Sequence, residues 1–306
     1  MKNQKEDFSI LIPVYNFDVV ALVKQLLIVS KKIGTDFEIL LIDDASNVFF
    51  KEKNKIINNF ENIRYIELNQ NIGRSKIRNL LFLNANYEHC IILDCDIKLI
   101  NDAFLELYFE KLTTNNVVVG GHIYKCKPPK DKSKYFHWLY GHKIEVKSLE
   151  KRLKNPYNAF MTNSFGISKT LFNKIKFDES LNEYGHEDTL FGIYLKNLKI
   201  PIIHIANPVL HLGLETEDKF LEKQEKAIQN LVQLYKKEQF NRVLKQNVKL
   251  IDFYNRIKDS SFKWFLIKLL MLFVKLPIIK QFDKMKLLDF SLWKLKQFRL
   301  KMSSLY

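Results

Sequence analysis

The chain reads as an α/β protein with a mostly parallel sheet flanked by helices, followed by a helical, basic C-terminal extension. Three observations carry this reading. Over the first hundred residues, short apolar runs alternate with longer stretches of helical spacing, as βαβ units require. Several of the apolar runs stop at polar or acidic residues, where such sheets present their ligand-binding groups. From residue 241 onward the chain carries 15 Lys/Arg against 4 Asp/Glu, interleaved with large apolar side chains.

The elements follow in order. Phe8 to Val14 is an apolar strand that stops at Tyr15 and Asn16, with Pro13 near its end. Val19 to Ile33 has apolar residues at helical spacing and ends at Gly34, a residue suited to a helix C-cap. Phe37 to Ile42 is a second buried strand, running into Asp43-Asp44-Ala45-Ser46. A polar, helix-like stretch leads to a strand at Ile63 to Leu68, a turn at Asn69 to Gly73, and a helix to about Asn84. Ile91-Ile92-Leu93 is a strand whose exit carries Asp94-Cys95-Asp96. Residues from about Thr113 to Phe165 are less regular, with a Lys/Pro loop at Lys125 to Lys134 and an aromatic cluster at Tyr135, Phe136, Trp138 and Tyr140. Regularity returns from Phe165 to Ile175. Pro201 to Ile205 is a short strand, and a long polar helix from roughly Glu215 to Glu238 sets Phe220, Ala227, Leu231 and Leu234 on one face. We divide the chain into an α/β domain, 1–240, and a basic amphipathic helical extension, 241–306.

A net charge of +15 invites a nucleic-acid partner. The cations are concentrated in the apolar C-terminal segment, which suits an anionic bilayer surface instead, so no nucleic acid is expected. Lys263 to Ile279 is strongly apolar but is interrupted by Lys263, Lys268 and Lys275 and closed by Pro277, so it is too short to span a bilayer. It is expected to lie in the interface with Trp264 and Phe265 near the headgroups, the alternative being a helix packed on the α/β domain or in a dimer. Cys90, Cys95 and Cys126 have no metal-binding or redox spacing, which fits a reducing compartment. The polar start, Met1 to Asp7, has no signal-peptide character, so the expected location is the cytoplasm, peripheral at the inner face of the plasma membrane.

Carboxylates at the end of a buried strand are costly unless something positive holds them. Asp94 and Asp96, one residue apart, can turn toward one divalent cation, and a hard metal with open positions is a partner for diphosphate. Alone, such a pair more often marks a solvated turn than a ligand site, so its neighbours decide.

Taken together, those neighbours resemble the family 2 glycosyltransferases, with their nucleotide-diphospho-sugar-binding GT-A fold. Ile12-Pro13-Val14-Tyr15-Asn16 resembles the opening strand, and Leu41-Ile42-Asp43-Asp44-Ala45-Ser46 the acidic turn, with Ala45 where glycine is usual. Asn69 to Asn79, with Asn71, Gly73, Arg78 and Asn79 in place, is similar to the N-x-G-x-x-x-A-R-N helix, and Asp94-Cys95-Asp96 to the D-x-D. Tyr184-Gly185-His186-Glu187-Asp188-Thr189 resembles the G-x-E-D segment of the galactosyltransferase-like branch, with His211 placed like its histidine metal ligand. The resemblance covers about residues 8 to 215.

The resemblance implies that Pro13, Tyr15, Asp43, Asp44, Arg78 and Asp94 bind the donor. Tyr15 offers a face for the base, Asp44 accepts from the base and Asp43 from ribose, and Arg78 holds these acids in place. The bland reading of Asp43 to Ser46 is a helix N-cap. Arg74 and Lys76 are read as solvated. Asp94, Asp96 and His211 would hold Mn2+ or Mg2+, with His211 favouring manganese over calcium. Asp188 is the candidate general base and Glu187 a holder of a sugar hydroxyl, although two adjacent acids are also favourable in the first turn of any helix. Gly185 suggests a flexible entry to that helix, and Asn163 and Ser164 are further sugar contacts. The implied activity is metal-dependent, inverting transfer of one sugar from a nucleotide-diphosphate donor, a UDP-sugar, to a hydroxyl of a glycan or lipid-linked glycan. Processive members carry Q-x-x-R-W and transmembrane helices, and this chain shows neither. The rival readings are a degenerate GT-A core acting as a membrane- or nucleic-acid-binding module, and a sugar-phosphate nucleotidyltransferase, which would need a Gly-rich basic loop where Val14 to Asp18 stands.

Overall fold

The computed structural model describes residues 6–181 and 184–303. Residues 1–5, on which most of the signal-peptide reading rests, lie outside the described residues. The chain divides into two compact units, the first made of 1–128, 141–181 and 187–214 and the second of 129–140, 182–186 and 215–306.

Among its described residues the first unit holds ten strands: β1 (Phe8–Val14), β2 (Phe37–Asp43), β3 (Ile63–Glu67), β4 (His89–Leu93), β5 (Ile97–Lys98), β6 (Val117–Val119), β7 (His122–Ile123), β8 (Ser164–Ser168), β9 (Ile202–His204) and β10 (Val209–His211). Seven form the main sheet in the order β3-β2-β1-β4-β8-β6-β9, parallel except for β8, which runs antiparallel to both β4 and β6. The fold is therefore the mostly parallel α/β sheet expected. Strands β1, β2, β4, β6 and β8 are buried along nearly their whole length because both faces are covered, whereas β3 at the sheet edge is only partly covered. Ile10, Ile12, Val14, Ile39, Leu41 and Ile91 point to one face, against the Val20–Lys31 and Phe104–Phe109 helices. Leu11, Leu40, Ile42, Ile92, Phe165 and Ile167 point to the other, against the Arg74–Asn84, Lys169–Ile175 and Glu187–Asn197 helices. That alternation is the two-residue period of an extended chain.

A second, three-stranded sheet, β5-β10-β7, sits past the end of β4. Its strands are two or three residues long and leave no periodicity to read in the sequence. His211 pairs with Ile97 and Val209 with His122, so this small sheet fixes the positions of the residues around Asp96.

The second unit is helical: Glu217–Lys236, Glu238–Asn247, Lys249–Ile257, Ser261–Val274, Pro277–Lys280 and Asp283–Ser303, joined by the short Tyr135–Tyr140 helix. The aromatic cluster noted in the sequence belongs here, with Phe136 packing on Phe220 and Phe290 and the Tyr135 hydroxyl donating to Asp283 at 2.7 Å. A separate cluster of Ile257, Trp264, Ile267, Val274, Leu292 and Leu295 seats the Ser261–Val274 helix. Trp264 is buried there under the Arg299 guanidinium, 3.9 Å from the ring centroid, and not displayed at the surface as expected. Gly185 also differs from its reading as a flexible entry. It has φ 93°, a Cβ there would crowd Ala227, and its carbonyl accepts from Asn230 at 3.0 Å.

Candidate active site

The chain leaves β4 at Leu93 and turns out through Asp94-Cys95-Asp96. The Asp94 N–H donates to the Asn163 carbonyl at 3.1 Å, just where β8 begins beside β4. Its Oδ1 accepts from Arg78 Nη2 at 2.9 Å. Asp96 lies beside the small sheet: its carbonyl accepts from the Leu212 N–H at 2.8 Å, and its Oδ1 stands 3.6 Å from His211 Nδ1. Gly213 follows directly, and any Cβ there would collide with the Asp96 carboxylate. A glycine here leaves the Asp96 carboxylate its present position, which a larger residue would displace.

Arg78 is almost fully buried, and its other terminal nitrogen reaches Glu187 Oε1 at 3.5 Å. It fastens Asp94 to Glu187, rather than the Asp43–Asp44 turn it was expected to hold. Burial pushes the carboxyls of Asp94 and Glu187 up, but the charges of Arg74 and Arg78 outweigh it and hold both below the usual range. Asp96 and Asp188 go the other way. Burial raises Asp96 against the pull of His211. Burial and the adjacent Glu187 charge push Asp188 up to about 6. Asp188 is only partly covered, and its Oδ1 accepts from the Thr189 N–H at 2.6 Å in the first turn of its helix. The two neighbouring acids are thus electrostatically distinct: one paired and ionised, the other poised near neutrality.

At the exit of β1, Pro13 pairs with Ile42 in the sheet, while the Tyr15 ring is 54% exposed and open to a planar ligand. Asp43 is fully buried, its oxygens accepting from the Ser46 N–H at 2.6 Å and the Tyr65 hydroxyl at 2.9 Å. Asp44 accepts from the N–H groups of Ile72 and Gly73 at 2.7 and 3.1 Å. Both acids therefore brace the loops around the β1 and β2 exits, and the N-cap position of the following helix falls to Asn47, whose side chain makes no capping hydrogen bond. Ala45 sits at φ 58°, the conformation for which glycine is usual. Asn163 lies against Asp94 with its side-chain oxygen buried and unpartnered, whereas the Ser164 hydroxyl is shared with Tyr108 at 2.6 Å inside the core.

Three residues escaped the sequence reading. Arg74, taken as solvated, reaches Glu187 Oε1 at 3.4 Å, and its charge acts on Asp94 and Asp96. Its signal was available, since it stands one turn before Arg78 on the same helix face. His122 on β7 is buried and pushed down to about 4, first by burial and then by His211. Tyr124 stacks its ring edgewise 5.1 Å from His211 and donates to Glu145 at 2.5 Å. Glu145 ends a π-helical turn, Gly141–Glu145, whose glycine leaves no room for a Cβ against the Tyr124 ring.

Among the described residues, no three His, Cys, Asp or Glu side chains are gathered closely enough to hold a metal by themselves. Asp94 is turned to Arg78, while Asp96 and His211 are brought together. A carboxylate and an imidazole fit a transition-metal ion such as Mn2+ that takes its remaining ligands from elsewhere.

The glycosyl transferase family 2 model matches residues 9–175. A chondroitin synthase of Escherichia coli is 26% identical over 226 residues, which are 62% of this chain and 32% of that protein. A hyaluronan synthase of Pasteurella multocida is 25% identical over 228 residues, 63% of this chain and 23% of that protein. The chain thus spans a third or less of the curated relatives it matches. A mannosyltransferase from Pyrobaculum calidifontis, solved with GDP-Man and Mn2+, superposes over 98% of this chain and 88% of its own with a TM-score of 0.60 at 13% identity, a likeness of fold.

Proposed function

The chain belongs to glycosyl transferase family 2, and from that premise we propose that it moves a single sugar from a UDP-sugar to a hydroxyl of a glycan or lipid-linked glycan, with inversion at the anomeric carbon. The observation that carries this reading is the contrast within one acidic pair: Glu187 held ionised by Arg74 and Arg78, Asp188 poised near neutrality beside it. A carboxylate with a pKa of about 6 is mostly deprotonated at neutral pH and is a stronger proton acceptor than an ordinary carboxylate.

In the proposed reaction the acceptor oxygen bonds to the anomeric carbon as the bond from that carbon to the β-phosphate oxygen breaks. The nucleoside diphosphate leaves with the electron pair, and Asp188 takes the acceptor proton. Glu187 orients a sugar hydroxyl through the oxygen that Arg78 leaves available. Tyr15 stacks on the base, Pro13 shapes the strand exit beneath it, and the Asp43–Asp44 turn sets the edge on which base and ribose rest. Arg78 keeps Asp94 aligned with Glu187. Asp96 and His211, with Asp94 beside them, are the residues that would hold Mn2+ or Mg2+; bound there, the ion would supply Lewis-acid stabilisation of charge on the departing diphosphate. We place the enzyme at the inner leaflet near its acceptor, through the basic C-terminal unit.

Thermal unfolding with nucleoside diphosphates, with and without Mn2+, tests the reading. A ligand at about 100 times its Kd adds roughly 2.7 kcal/mol, or on the order of 5–10 °C at about 2–4 °C per kcal/mol for a unit of this size. UDP with Mn2+ should give that shift, and Asp96→Ala should remove it. No shift with any nucleotide in either condition would overturn the donor assignment.

A further inference from the structure

We propose that the Ser261–Val274 helix and the Pro277–Lys280 turn form a shallow bilayer-inserting face that takes anionic phospholipid. This goes beyond the transfer reaction: it assigns the contact to named residues and does not depend on sugar transfer being correct.

The helix is apolar on two opposite sides. One side, Trp264, Ile267 and Val274, is buried within its own unit. The other is in solvent: Phe262 is 69% exposed, Leu272 67% and Ile278 on the following turn 74%, with Phe265, Leu269 and Phe273 between them. With about 100° per residue, the exposed apolar residues of the helix cover an arc of roughly 160° centred opposite the buried one. Isolated exposed apolar side chains need no explanation, but a continuous face of this kind marks an interaction surface.

The position of the charges says what covers it. On the same wheel, Lys263, Lys268 and Lys275 fall on the two borders between the buried arc and the exposed arc, flanking the apolar face on both sides. Lys268 and Lys275 so placed can lay their stems along the apolar surface and carry their ammonium groups to the level of phosphate headgroups, while Lys263 on the other border donates to the Arg256 carbonyl at 2.8 Å. Between residues 260 and 282 there is no Asp or Glu. A second copy is the wrong occupant on this ground, because a two-fold interface sets the same patch against itself and would bring lysines together with no acid to meet them. An anionic lipid surface supplies the missing charge at each border. Among the described residues no helix is long and apolar enough to cross a membrane, consistent with a face that lies in the surface.

Flotation of the full chain with vesicles of phosphatidylcholine, with or without phosphatidylglycerol, tests the proposal. Binding to the anionic vesicles alone, weakened by salt, is expected. Leu272→Glu/Phe273→Glu and Lys268→Glu/Lys275→Glu should each reduce it by about tenfold or more, as two lysines at roughly 1 kcal/mol apiece require. Equal binding to neutral vesicles, or unchanged binding by either variant, would overturn it. So would a wild-type dimer in solution that the Leu272→Glu/Phe273→Glu variant splits. The substituted side chains are exposed, so the unfolding midpoint of each variant should match the wild type, and a variant that fails this control is replaced by Ile278→Glu. Flotation needs no donor or transfer, so loss of the UDP response and loss of vesicle binding are separate results.

Discussion

Replacing Arg78 by methionine keeps the buried stem and removes the guanidinium that joins Asp94 to Glu187 at 2.9 and 3.5 Å. Both acids are then left with weaker support, Glu187 from the half-exposed Arg74 alone. Breaking a buried ion pair from one side costs about 3–5 kcal/mol, because the remaining charge stays desolvated. For the first unit this corresponds to a fall of roughly 6–20 °C in unfolding midpoint. The pH dependence follows from the signs. In the wild type both carboxyls lie below their ordinary range, so their stabilisation is present above the unfolded carboxylate pKa of about 4 and is lost as pH falls through the depressed folded values. In Arg78→Met the same acids are buried without that partner, their affinity for protons rises, and the variant gains relative stability as the solution is acidified. Urea unfolding of both proteins from pH 4 to 8 should show a gap that is wide at neutrality and narrows toward acid. A second change, Glu187→Gln in the variant background, should recover part of the loss. A gap below about 1 kcal/mol, or one that is constant with pH, would refute the electrostatic account.

Two further outcomes are expected. Asp188→Asn should lower kcat/KM by about 10²–10⁴-fold while leaving metal-dependent UDP binding intact; the wild-type profile should rise with pH through about 6 as Asp188 loses its proton, and the variant should lack that limb. Gly213→Ala should push the Asp96 carboxylate aside and weaken Mn2+ affinity about 10–100-fold, read by metal titration, with metal-free nucleotide binding unchanged.

The parts of the fold that were legible in the sequence are those with a strong local pattern. β1, β2, β3 and β4 announce themselves as apolar runs with polar exits, and the Glu217–Lys236 helix by the spacing of Phe220, Ala227, Leu231 and Leu234. β5 and β7 have two residues each, too few for any period, and β8 gives no sign that it runs antiparallel between β4 and β6. In the site, residue types were legible and partners were not. Arg78 pairs with Asp94, 16 residues on, and with Glu187, 109 residues on, rather than with Asp43 and Asp44, and no local pattern in the sequence links it to either. Arg74 looked like an ordinary surface cation. Trp264 looked like an interfacial anchor because composition shows amphipathic side chains and not which side of a two-faced apolar helix is already occupied.

The pairing of β10 with β5 acts as an address. His211 faces Asp96 only because Leu210 and His211 lie opposite Lys98 and Ile97. Slipping that register by one residue would turn the imidazole to the opposite face of the sheet. The long excursion between β7 and β10 carries no part of this instruction. Insertions in the loops there, outside β8, β9 and the Glu187–Asn197 helix, can reshape what approaches the site while the address is preserved, whereas a single-residue deletion in the few positions from 209 to 213 would misdeliver the histidine. A search for related chains should therefore weigh the local spacing within the Asp94–Lys98 and Val209–Gly213 segments more than the number of residues between them.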